Sequence, residues 1–303
     1  MMTVKKILSL FLIIFSFTIY SQNNGAGNTG LSFLKVGVTS RSISLGEAVV
    51  SMSEDASATF YNPAGLFLGK KNSILFMHNA GIIGTRSEFL AAKFNLSSRI
   101  ALGLSLNNMS VSDIEVREIP GQPLDRFNSQ NFALGFSGAY KVNEKIQLGV
   151  TAKFIYEKIF IDNADGYAFD FGGLFQDGKI SFGVALSNVG SMNRLRNEST
   201  KLPSSMRFGG GYKISLDKIN GSLQLGANGF KVLDGGKFHL NAGAEFLFKE
   251  FLAVRAGYQS GFENKSLTTG LGLKFKVFNL DYAFVPYKLS LGSSHTFTIG
   301  ASF

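Results

Sequence analysis

From about residue 72 onward, apolar residues alternate with small or polar ones at period two, which puts the two kinds on opposite faces of an extended strand. Ile146, Leu148, Val150, Ala152, Phe154 and Tyr156 make one such face, and Gln147, Gly149, Thr151, Lys153 and Glu157 the other. The split recurs in Phe238, Leu240, Ala242, Ala244, Phe246 and Phe248 against His239, Asn241, Gly243 and Glu245, and in Leu267, Thr269, Leu271, Leu273 and Phe275 against Ser266, Thr268, Gly270, Gly272 and Lys274. Helical spacing fits none of these runs. Strands of soluble sandwiches average about 5 to 6 residues, whereas these approach the roughly 9 to 11 that cross a bilayer at a tilt. The pattern predicts fourteen strands, near 72–79, 86–95, 98–110, 128–141, 145–158, 164–176, 178–189, 203–213, 220–230, 237–248, 250–260, 264–276, 277–285 and 293–303.

The connectors also alternate. Tight turns are expected at Asn95–Ser98, Val142–Lys145, Asp177–Gly178, Lys249–Glu250 and Lys276–Val277, and longer links at 111–127, 158–164, 189–203 and 286–293. An even strand count with short turns at one end and longer loops at the other is the pattern of an antiparallel outer-membrane β-barrel, an all-β fold. Tyr140, Tyr156, Tyr258, Phe262, Tyr282 and Tyr287 lie near strand ends, where aromatic girdles meet the membrane interfaces. The last strand stops on Phe297, Ile299, Ala301 and Phe303. Phe297, Ile299 and Phe303 form the kind of C-terminal signal by which outer-membrane insertion machinery takes its clients, so the expected partners include the barrel-assembly machinery and outer-membrane lipid.

The first residues belong to neither face. Lys5 and Lys6 precede an apolar run from Ile7 that ends at Ser21, so residues 1–21 are expected to be a cleaved secretory signal, too short to span a bilayer as an anchor. Residues 22–71 would follow as a separate segment and 72–303 as the barrel. The 303 residues contain 30 Phe, 35 Gly, 5 Pro and no Cys, and are 45% hydrophobic and 17% charged. Disorder is excluded by this composition, as are disulfides, thiol catalysis, thiolate metal sites and a lipidated N-terminal cysteine. The formal net charge of +9 falls to +7 without Lys5 and Lys6, leaving 28 Lys and Arg against 21 acids. These charges are scattered, so no nucleic acid is expected as a partner.

Residues 25–71 carry the most specific motif. Gly25 to Gly30 is formally GxGxxG, but no strand precedes it, which removes the nucleotide reading. The stretch from Phe33 through Arg41 to Gly46 follows, then Glu54-Asp-Ala-Ser-Ala-Thr-Phe-Tyr-Asn-Pro-Ala-Gly-Leu66. It closely resembles the N-terminal region of the PorV/PorQ family, outer-membrane proteins related in fold to the FadL fatty-acid transporters. The resemblance continues through Ser187 to Gly190, Leu202 to Gly209, Arg255 to Tyr258, Asp281 to Pro286 and Leu291 to Phe297. It implies a fourteen-stranded barrel whose N-terminal segment folds inward as a hatch, with Arg41, Gly46, Asp55, Asn62, Pro63 and Gly65 as its motif. Asn62-Pro63 favours a turn, and Gly65 would supply backbone geometry that other residues resist. A barrel this wide is not filled by its own inward Gly, Ala and Ser, so the hatch would occupy the lumen, as a gate or as a core.

The lumen face would carry Lys153, Glu157, Asp170, His239, Glu245, Arg255 and Asp281. Asp170, His239, Glu245, Arg255 and Asp281 form a candidate polar network, either a pathway or a structural lattice that pairs internally or with Arg41, Glu54 and Asp55 of the hatch. His78, His239 and His295 are far apart, and no HExxH, nucleophile elbow or P-loop is present, so no enzyme, cofactor or metal is expected. His295 reads as structural, in a stretch where the family also has a histidine. Two functions remain. Similarity to PorV/PorQ implies a non-enzymatic component of the type IX secretion system, a shuttle whose outer loops, here 111–127 and 189–203, bind secretion-system proteins or exported cargo. The wider relationship to FadL implies uptake of hydrophobic small molecules such as long-chain fatty acids. Either way the expected location is the outer membrane of a Gram-negative type cell.

Overall fold

In the computed structural model, which describes residues 27–303, the alternating segments pair into one closed antiparallel barrel. The predicted signal, 1–21, lies outside the described residues. Strand β1 (Asn72–Ala80) is followed by β2 (Thr85–Asn95), β3 (Ile100–Val116), β4 (Asp125–Lys141), β5 (Ile146–Ile159), β6 (Asp162–Asp177) and β7 (Ile180–Met192). A two-residue ribbon, β8 (Arg194–Leu195) with β9 (Glu198–Ser199), interrupts the wall, which resumes with β10 (Ser205–Leu216) and β11 (Gly221–Val232). It ends with β12 (Phe238–Phe248), β13 (Leu252–Gln259), β14 (Leu267–Phe275), β15 (Phe278–Pro286) and β16 (Ser293–Ser302). Fourteen strands form the wall, as the periodicity predicts, and β1 closes on β16 with Ser73 opposite Ser302 and Ala80 opposite His295. No helix among the described residues is long and apolar enough to cross a membrane.

The two faces sort as the pattern requires. In β5, Leu148, Val150 and Phe154 are exposed while Gln147, Thr151, Ile155 and Glu157 are buried. In β16, Phe297 and Ile299 point outward and Thr296 and Thr298 inward. A belt of exposed large apolar side chains around a closed wall suits lipid as its surroundings.

The end carrying the turns 96–99, 142–145, 178–179, 217–220, 249–251 and 276–277 has the shorter connections, and by the usual asymmetry it faces the periplasm. At the other end the predicted loops 111–127, 158–164 and 189–203 are partly strand. Strands β3 and β4 keep pairing past a bulge between Val111 and Ile114, up to Val116 opposite Asp125, leaving only 117–124 as loop. Strands β5 and β6 turn on Phe160 and Ile161 alone. Above the lipid both faces of a strand meet water, so the alternation that marks the strands in sequence fades there although the hydrogen bonding continues. Two of the expected girdle aromatics also differ. Phe262 stacks on the ring of His239 at the mouth of the lumen, and Tyr287, beyond the end of β15, is partly buried, which with the Glu47 charge raises its pKa.

Residues 27–71 run through the interior. At the outer end the Gly30 N–H donates to the Lys201 carbonyl, 3.0 Å, and the Asn28 amide to the Asp234 carbonyl, 3.2 Å. The short helix Ser40–Ser44, capped by the Thr39 hydroxyl, packs on β13 to β16. The 3-10 turn Pro63–Phe67, begun by the Asn62 side chain, packs on β2 to β6, the opposite wall. Phe60, Tyr61, Val38, Leu45, Val49 and Met52 of this segment cluster with Leu75, Met77, Phe89 and Ala91 of the wall, so the hydrophobic core lies in the lumen.

Inward glycines make room for it. A Cβ on Gly149 would fall 2.4 Å from the Ala64 nitrogen, one on Gly172 2.2 Å from Asn62 Oδ1, and one on Gly257 2.2 Å from the Gly46 nitrogen. Gly65, by contrast, has no left-handed backbone, and a Cβ there would make only contacts of 3.4 Å or more, so the freedom expected of it is not used. It is Gly46, at φ +62, that takes the left-handed conformation, against the backbone of Tyr258 and Ala242. Gly149→Val should lower stability by about 1–3 kcal/mol through overpacking, read as a fall in the temperature at which the barrel loses its compact migration on unboiled gels. Gly138→Val, outward-facing with no atom nearer than 4.0 Å, should shift it by less than about 0.5 kcal/mol.

Candidate functional site: the filled lumen

Alternation along β12, β13 and β15 aims Glu245, Arg255 and Asp281 into the lumen, and the helix Ser40–Ser44 brings Arg41 to them. Arg41 grips Glu245 with two parallel bonds, Nε to Oε2 at 2.9 Å and Nη2 to Oε1 at 3.0 Å, the bidentate geometry a planar guanidinium favours. Its remaining donors reach the Met52 carbonyl, 3.1 Å, and Gln224 Oε1, 2.8 Å. Arg255, opposite Glu245 across the β12–β13 ladder, donates from Nε to Glu245 Oε2 at 2.5 Å and from Nη1 to Asp281 Oδ1 at 2.7 Å. Asn279 donates to the other Asp281 oxygen at 2.9 Å.

The result is a buried row of alternating charge, Arg41, Glu245, Arg255 and Asp281, with no net charge and side chains at most 9% exposed. Gly272 of β14 lies beneath the Arg255–Asp281 pair, and a Cβ there would fall 2.3 Å from Asp281 Oδ1.

Of the five residues expected in a luminal network, the structure brings together Glu245, Arg255 and Asp281. Asp170 lies on another part of the wall, 2.6 Å from Lys153 Nζ, and accepts the Asn188 N–H at 2.8 Å. His239 is at the outer mouth, with Nδ1 3.0 Å from the Ser260 carbonyl. Within the segment, Asn62 is buried and donates to the Val50 carbonyl, 2.9 Å, and the Gly173 carbonyl, 3.1 Å. Pro63 opens the 3-10 turn. Asp55 accepts the Ser57 N–H at 2.9 Å and hydroxyl at 2.5 Å, and its charge also acts on the buried Lys93 of β2. His295 is held between the Tyr282 hydroxyl, 2.8 Å, and the Ser293 hydroxyl, 3.0 Å.

Two anchors are absent from the sequence reading. Lys93 is fully buried and donates to the Glu54 carbonyl at 3.0 Å and also to the Leu68 carbonyl, tying down the periplasmic end of the segment. Arg207 lies 4.6 Å from the Phe230 ring centre and 5.7 Å from those of Phe60 and Tyr61, a spacing at which cation and ring attract. Lys93 has the parity of Phe89 and Ala91 and Arg207 that of Gly209, so strand phase alone could have placed both inside.

The model of the family described as type IX secretion system membrane protein PorP/SprF matches residues 55–303. No curated protein matches the sequence. Among solved structures the chain is similar to the CymD monoaromatic hydrocarbon channel, with TM-score 0.61 and 14% identity over 88% of this chain and 98% of that one. It is also similar to the Pseudomonas putida toluene transporter TodX, with TM-score 0.62 and 11% identity over 88% of this chain and 99% of that one. At such identities the likeness is one of fold.

Glu245→Gln removes the carboxylate between two buried guanidinium groups and should cost about 3–5 kcal/mol in urea unfolding from lipid vesicles. Adding Arg41→Met to that variant should return part of the loss.

Proposed function

This chain is an outer-membrane β-barrel of the type IX secretion system PorP/SprF family, and we propose that it serves that system as a non-catalytic interaction component, working in the manner of the PorV/PorQ barrels. Its partners would be secretion-system proteins or exported cargo, docked at the outer rim. The observation that carries this reading is an apolar groove where β3 to β6 rise past the top of β2. Val116, Phe127, Ile159, Phe160 and Leu195 line a space of about 400 Å³, closed at one side by the Arg196–Asp162 ion pair of 2.5 Å. Ile119, Ile161 and Leu124, between 67% and 76% exposed, extend the apolar surface beside it. Apolar area of this kind above the lipid is unfavourable unless a partner covers it, and it falls where the two loops named from sequence converge.

A second reading, FadL-like uptake of hydrophobic small molecules such as long-chain fatty acids, is favoured by the fold shared with CymD and TodX. In that case residues 27–71 would act as a hatch, and passage would require the Arg41–Glu245 clamp to open. The two readings part in a mild-detergent pull-down from native outer membranes with analysis of both proteins and lipids. The interaction role predicts that secretion-system proteins or cargo accompany the wild-type barrel and are lost from Phe160→Asp and Leu195→Asp, which retain its compact migration. A barrel recovered alone with a bound fatty acid would support uptake instead.

A further inference from the structure

We propose that the cavity at the outer mouth of the lumen binds a small planar anion, an aromatic carboxylate, between the luminal segment and the β11 to β13 wall with its adjoining loops. This rests on neither reading above. The cavity measures about 180 Å³, and Lys35, Glu47, Lys237, His239, Phe262 and Lys265 are among its lining residues. Four of these six are basic and one is a carboxylate. That carboxylate is already shared: Gln259 donates to Glu47 Oε1 at 3.1 Å, and Lys265 Nζ lies 3.8 Å from the same atom. Lys237 is 3.7 Å from Glu263 at the rim. Lys35 makes no ion pair among the described residues, and burial lowers its pKa from the ordinary lysine value, as expected of a half-buried ammonium without a counter-anion.

The remaining surface is flat and aromatic. The Phe262 and His239 rings lie 3.9 Å apart at 15°, and Phe230 continues the stack 5.9 Å from His239 at 28°. Lys265 Nζ sits 4.9 Å from the Phe262 ring centre. Arg207 covers the far end of this stack, 4.6 Å from the Phe230 ring centre, so a planar body would meet ring edges, the electropositive part of an aromatic, and the surrounding ammonium groups favour a carboxylate on that body through charge-assisted hydrogen bonds. A neutral hydrocarbon would leave Lys35 unpaired, and a cation would meet like charge.

Benzoate is the probe, titrated calorimetrically into the full-length barrel in mild detergent, with toluene and benzylammonium as the neutral and cationic counterparts. Saturable one-to-one binding of benzoate alone is expected, weakened about tenfold by Lys35→Gln and by Lys265→Gln, the loss of one charge-assisted bond. Absence of saturable benzoate binding, equal binding of toluene, or unchanged affinity in the variants would overturn the proposal. Compact migration on unboiled gels certifies each variant as folded, and Lys265→Gln decides alone if Lys35→Gln does not fold.

Discussion

A wall of fourteen strands encloses more volume than its own inward side chains fill, and much of this molecule answers that one constraint. The chain supplies the missing core from residues 27–71, and the wall thins itself to receive it. Small residues facing inward would be a weakness in an empty barrel. Here they let backbone approach backbone, so that the Asn62 side chain caps its own turn while donating to the wall at Gly173. Glycine abundance, ordinarily a cost in strand entropy, is thus tied to an interior partner.

Filling a polar lumen with a mostly apolar segment raises a second problem, which is how to fix its position. Hydrophobic contacts are non-directional and would tolerate sliding or rotation. Directional contacts are spread along the segment, among them Gly30 and Asn28 at the outer end, Ser40 on Thr298, Arg41 on Glu245, Thr268 on Ser44, Asn62 on Gly173, and Lys93 near the periplasmic end. In the middle of this series the charges alternate in sign along a row, so each carboxylate faces a guanidinium.

The sequence carries the wall well because lipid on one side and lumen on the other impose strict alternation, as in β5 and β12. It carries the outer rim poorly because that asymmetry ends above the membrane, where β3 to β6 continue on ladder hydrogen bonds with local contacts such as Phe127 on Phe160 and Arg126 on Glu115. For the interior, phase marks Glu245, Arg255 and Asp281 as inward but says nothing of which strands are neighbours in height. Asp170 and His239 share that phase and lie elsewhere. Lys93 and Arg207 passed unnoticed because a single basic residue in an apolar strand resembles a solvated one, and only the enclosing segment gives each its partners. Gly46 and Gly65 both belong to the motif, yet only Gly46 uses the left-handed backbone a glycine allows, a difference the motif itself does not reveal.

The luminal segment enters the described structure beside Asp234 and Lys201 at the outer end and leaves it at Asn72, at the opposite end, where β1 begins. It is therefore a thread through a ring whose seam is the pairing of β1 with β16. Zipping that seam around a segment already laid against the wall requires no passage through a closed hole, whereas sealing the ring first would demand that a chain end be pulled through the finished lumen. The order of assembly is in this way written into the topology: the earliest-synthesised part of the described chain must wait at the centre until the last strand arrives to enclose it.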